Sequence, residues 1–207
     1  MPFVRVRRQL RFAAAMSAAV MAAALVAGCG GDSGAATPPT TSGSPDSTAG
    51  VTPNATDVAF ARDMIPHHRQ AIEMADLAAD RAASAEVRAL AGQIRQAQDP
   101  EIVQMAGWLT EWGQPVPGEG QHAGQDDHHG MPGMMTADEM AALHAASGAD
   151  FDRLFLDMMI RHHEGAVQMA AILRDDGVHP AVRQLAETIA AGQQAEISQM
   201  REILAEL

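Results

Sequence analysis

A chain of 207 residues, 47% of them hydrophobic and only one a cysteine, is long enough to bury a core and too poor in cysteine for a disulfide framework. All fourteen basic residues are arginines, and four of these stand in the first eleven positions, leaving ten against twenty-six acids in the rest. That balance excludes nucleic acid as a natural partner and suits cations, besides serving solubility.

Arg5, Arg7, Arg8 and Arg11 precede an apolar run, 12–27, that closes on Val26-Ala27-Gly28-Cys29. A basic start, an apolar stretch short for a membrane span and small residues before a cysteine predict a lipoprotein signal peptide over 1–28. Export by the Sec route is expected, although Arg7-Arg8 also resembles the start of a twin-arginine signal. With no second cysteine to pair, Cys29 is the expected lipidation site, carrying fatty chains such as palmitate that tether the mature protein outside the cytoplasm to the cell membrane. A plain signal peptide with a stray cysteine is the alternative. Residues 29–56, the lipidated cysteine and a run of Gly, Ser, Thr, Ala, Pro and Asp, offer almost nothing to bury and read as a flexible tether. One folded domain is expected over 57–207.

Within it, residues 60–111 align on 155–206 at a constant offset of 95, with 21 of 52 positions identical. The matches step by three and four, the period of a helix face. Helices are predicted at about 57–82, 85–112, 150–176 and 180–206, with Ser84 as an N-cap, Pro180 in a first turn, and Gly113 and Gly177 as stops. A shorter helix at about 137–146 is announced by Thr136-Ala137-Asp138-Glu139, a capping-box pattern. Two hairpins, repeats 57–112 and 150–207, sharing apolar stripes predict an all-α four-helix bundle.

Folding the first repeat at residue 84 sets Met64 opposite Met105, and His67 and His68 opposite Glu101. The second sets Met159 opposite Met200, and His162 and His163 opposite Glu196. At least one histidine of each pair should point inward, and each glutamate falls on an apolar stripe where it needs a cation or a donor. With Gln98 set opposite Ala71 and Gln193 opposite Ala166, imidazole, carboxylate, thioether and an amide fall within two turns, twice over, a plausible set of ligands and supporting groups for a transition metal. The structural alternative is a satisfied polar layer that fixes register among core methionines. Met74 and Met169 lie farther away and read as core. Pro66 and Pro100, present only in the first repeat, should each kink a helix, so the two clusters need not be equivalent.

The connection 113–136 carries His122, His128, His129, Met131, Met134 and Met135 among glycines and acids. Methionines in such a loop have no obvious core to fill. Thioethers favour Cu(I), and imidazole accepts both oxidation states, so copper is the metal this mixture favours, with zinc or nickel possible through the histidines.

The strings DMIPHHRQAIEMA and FLDMMIRHHEGAVQMA, each followed by a second helix of the form VRxLAxxIxxxQxxEIxxM, resemble the domain-of-unknown-function 305 family of secreted bacterial proteins over about 57–207. The resemblance implies a ferritin-like four-helix bundle and, for some members, copper binding outside the cytoplasm. It carries the family's His-His and Met positions onto Met64, His67, His68, Met74 and Met159, His162, His163, Met169. The Glu-x-x-His pairs of di-iron bundles are missing from the helices. The leading expectation is therefore a membrane-anchored copper-capturing or buffering protein. The alternative is a helical module that binds an unknown protein partner and no metal. No enzyme is expected, since the mature chain holds no nucleophile constellation, phosphate loop or cofactor fingerprint.

Overall fold

The computed structural model describes residues 50–118 and 131–207, and these form five helices: α1 (Ala55–Arg81), α2 (Ala85–Glu111), α3 (Ala137–Ala145), α4 (Gly148–Asp176) and α5 (Pro180–Glu206). No strand forms among the described residues, only an isolated bridge between Ala82 and Gly148. The predicted signal, Cys29, His122, His128 and His129 lie outside the described residues.

Local chemistry sets the helix ends. Ser84 caps α2 by accepting from the backbone N–H groups of Glu86 and Val87, and Thr136 and Glu139 form the expected capping box at α3. Pro180 occupies the first turn of α5, and Gly113, at φ +65°, follows the end of α2. The domain starts earlier than its composition suggests. Asn54 and Asp57 make a capping box at α1, so residues 54–56 belong to the fold and not to the tether. Both α1 and α2 run through their internal prolines, Pro66 and Pro100.

α1 pairs with α2 and α4 with α5, and the two hairpins meet mainly through α1 and α4, while α2 and α5 touch little. α1 and α4 run antiparallel: the Asn54 side chain reaches the Asp176 carbonyl at one end, and Ala82 bridges Gly148 at the other. The hairpins brace each other's turns. Asp152, on α4, accepts from the N–H groups of Ala83 and Ser84 at 3.1 and 2.8 Å. Its counterpart at the offset of 95, Asp57 on α1, accepts from Val178 and His179 at 3.2 Å. Both carboxylates are almost wholly buried, and each repeat thereby satisfies turn N–H groups of the other.

The apolar core is two clusters. One joins Ala71, Met74, Leu90, Ile94, Phe151, Phe155, Met159 and Met200, and α3 adds Met140 and Leu143. The other joins Phe60, Met64, Met105, Leu109, Ala166, Leu173 and Ile189. On every long helix buried polar residues stand between the two clusters: His67, His68 and Gln70 on α1, Gln98 on α2, His162 and His163 on α4, and Gln193 on α5.

Candidate metal centre

The imidazoles of the polar layer are sealed from solvent. His67, His68, His162 and His163 are all wholly buried, so both members of each pair point inward. The ring centroids of His67 and His162, equivalent residues of the two repeats, lie 3.9 Å apart where α1 meets α4. His68 Nε2 lies 2.8 Å from Glu101 Oε2 and His163 Nε2 lies 2.7 Å from Glu196 Oε2, as the layers counted along each hairpin require. Each glutamate side chain keeps about one sixth of its surface in solvent.

The outer hydrogen bonds decide which nitrogen is free. A carboxylate and a backbone carbonyl can only accept, so His68 and His163 donate Nε2–H to their glutamates, and His67 donates Nε2–H to the Pro132 carbonyl at 3.1 Å. Among the described residues the buried Nδ1 of each of these three rings has no partner, and His162 has none at either nitrogen. A metal-binding histidine is commonly fixed in this way, one nitrogen held by an outer acceptor and the other left bare. Burial pushes His67 down to about 3, helped by repulsion from His68 and only partly opposed by the Pro132 carbonyl. His162 is pushed well below its ordinary value by burial and then by the neighbouring histidines. Both are neutral at physiological pH, the state that binds metal.

Met64, Met105, Met159 and Met200 are wholly buried, Met64 and Met159 one turn before their histidine pairs. Met74 is buried core, as expected, and Met169 packs against the second cluster. Gln98 and Gln193, equivalent residues one turn before Glu101 and Glu196, are 2% and 3% exposed with both amide atoms unpartnered. Among the described residues no three His, Cys, Asp or Glu side chains are grouped as a metal site, so a metal here would draw on thioethers or on a rearrangement of the layer.

The end of the connection is part of this layer. Residues 131–136 cross α4 and α1 as a strap. A Cβ on Gly133, whose φ is +80°, would stand 2.6 Å from the Arg161 carbonyl oxygen, and one on Gly165 would collide with the Pro132 carbonyl. The Gln70 side chain holds Met135 through both backbone groups, at 2.9 and 2.7 Å. The expectation that the loop methionines have no core to fill fails for Met135, which is 2% exposed in the first cluster; Met131 and Met134 are half-buried. Nothing in the sequence marked the Pro132 carbonyl, because a backbone acceptor leaves no side-chain signature.

Residues 57–204 match the family model described as a domain of unknown function, DUF305. The chain belongs to the DUF305 family. Among solved structures it resembles a DUF305 fragment from Deinococcus radiodurans at 36% identity and a TM-score of 0.67, over 76% of this chain and 100% of that one. A DUF305 protein from Streptomyces coelicolor, described as a candidate secreted protein, is also 36% identical, with a TM-score of 0.65 over 73% and 93% of the two chains. CopM in its Cu(II)-bound form is 38% identical, with a TM-score of 0.62 over 72% of this chain and 96% of that one, and CopM has also been solved with Cu(I) and with silver. No curated protein matches the chain. The all-helical fold expected from the repeat is the fold of this DUF305 family.

Proposed function

We propose that this DUF305 protein captures or buffers copper outside the cytoplasm, held at the membrane by a lipid on Cys29, and catalyses nothing. The observation that carries the copper reading is the set of buried imidazoles at the meeting of α1 and α4 whose nitrogens are unpartnered among the described residues. Soft thioethers on adjacent turns suit Cu(I), and imidazole suits both oxidation states. The copper-bound and silver-bound forms of CopM support the same choice of metal over zinc or nickel. His67, His68, His162 and His163 are the proposed principal ligands, with Met64, Met105, Met159 and Met200 in support. Glu101 and Glu196 act behind them, each holding a histidine in the tautomer that frees Nδ1. Met131, Met134, His122, His128 and His129 are proposed as an auxiliary copper-binding stretch. No described helix is long and apolar enough to cross a membrane, and attachment is assigned to the N-terminal signal and Cys29.

One observation favours the alternative, a helical interaction module: the His68–Glu101 and His163–Glu196 pairs are already closed without a metal. Competition titrations with Cu(I), Cu(II), Zn(II) and Ni(II) separate the two. The expected outcome is stoichiometric copper binding that raises the melting temperature with copper concentration, survives deletion of 119–130 and disappears in the His67/His68/His162/His163 alanine variant. Copper bound no more tightly than by an unstructured histidine-rich peptide overturns the metal reading.

A further inference from the structure

Gln98 and Gln193 differ from the buried carboxylates and from the other buried amide of the described residues. The buried carboxylates, Asp57 and Asp152, accept from backbone N–H groups, and the buried amide of Gln70 is satisfied at both ends by Met135. At Gln98 and Gln193 neither the amide oxygen nor the amide nitrogen meets a hydrogen-bonding group among the described residues. An orphaned buried amide costs about 1–3 kcal/mol relative to an apolar side chain of the same shape. The chain carries this cost twice, at positions related by the offset of 95, although leucine or methionine would serve packing better. Each amide stands one turn before the glutamate that orients a histidine, buried on its helix between the residues of the two apolar clusters, at the level of the imidazoles and between the clusters that hold the thioethers.

The geometry points to Gln98 and Gln193 as the residues that give this centre its affinity for oxidised copper, their amide oxygens serving Cu(II) directly or through a water. The assignment rests on the copper reading above. Cu(I) is satisfied by thioether and imidazole, whereas Cu(II) prefers nitrogen and oxygen donors in a tetragonal arrangement. A centre meant only for Cu(I) has no use for two unpaired amides. With them, the same layer retains the ion when its oxidation state changes, which suits a protein exposed to an oxidising compartment.

The test uses the purified full-length protein and its Gln98→Leu/Gln193→Leu and Gln98→Met/Gln193→Met variants, with Cu(I) and Cu(II) affinities measured by competition and the copper potential by voltammetry. Both variants are near-isosteric and remove orphaned polar atoms, so their metal-free melting temperatures should equal or exceed the wild-type value. The expected result is a loss of about tenfold in Cu(II) affinity with Cu(I) affinity unchanged, equivalent to a rise in potential of about 59 mV for a one-electron couple. Equal losses for both ions, or no loss for either, overturn the assignment and leave the glutamines as packing. Failure of the wild-type protein to bind copper removes the copper reading itself, and this assignment with it.

Discussion

Histidine is the side chain whose protonation changes nearest neutral pH, and this structure suppresses that change at its centre. The unfolded chain takes up protons at its histidines around pH 6.5, but folded His67 resists until about 3, and His162 also lies well below its ordinary value. Between those limits the unfolded state binds more protons than the folded one. Stability of the metal-free protein is therefore full above about pH 6.5 and declines as pH falls below it, the unfolded chain taking up protons that folded His67 and His162 refuse. Urea midpoints between pH 7.5 and 5, above most carboxylate titrations, should show this decline, and a His67→Ala/His162→Ala variant should flatten it. A flat wild-type profile would mean that both imidazoles reach water. The pairing of His68 with Glu101 and of His163 with Glu196 was legible in the sequence, because residues across a hairpin meet at heights fixed by its turn. The approach of His67 to His162 was not. Counting along one hairpin does not reveal which of its helices faces the other.

At the scale of helices, the ends were readable because caps are local. Ser84, Thr136, Pro180 and Gly113 act on neighbours within a few residues, and the expected boundaries fall within two residues of those observed. The strap was not readable as such, since its constraints come from elements far along the chain. Gly165 takes the place of Gln70 in the second repeat: the glycine lets the strap approach α4, and the glutamine grips it on α1. Gly165→Ala should force Pro132 away and deprive His67 Nε2 of its acceptor, at about 1–3 kcal/mol. Gly92→Ala in α2, where an added Cβ meets nothing within 4 Å, should instead stabilise by about 0.5–1 kcal/mol. Denaturant unfolding of the two variants gives the comparison, and equal effects would show that the strap yields freely.

Across the whole molecule, the two apolar clusters each draw on both repeats, and the histidine layer between them is shared. Unfolding should be one cooperative transition. Asp57→Ala and Asp152→Ala, which strip the turn of the opposite hairpin, should each lower the stability of the entire bundle by about 1–3 kcal/mol. Calorimetry should give a single peak in both cases; two resolved transitions would mean that the hairpins fold separately. The duplication was visible in the sequence from residue 60 onward, but the reciprocal role of these aspartates was not, because each acts on backbone groups of a segment remote in the chain.

Those crossed aspartates also say what half of this protein would be. A solitary repeat would hold a carboxylate with no turn to cap, a turn with no carboxylate, and one imidazole of a facing pair. Two identical copies, related by a twofold axis, would complete each other with the same contacts. The chain has the form of a homodimer written as a single polypeptide, its two halves unlike where one grips the strap and the other gives way to it.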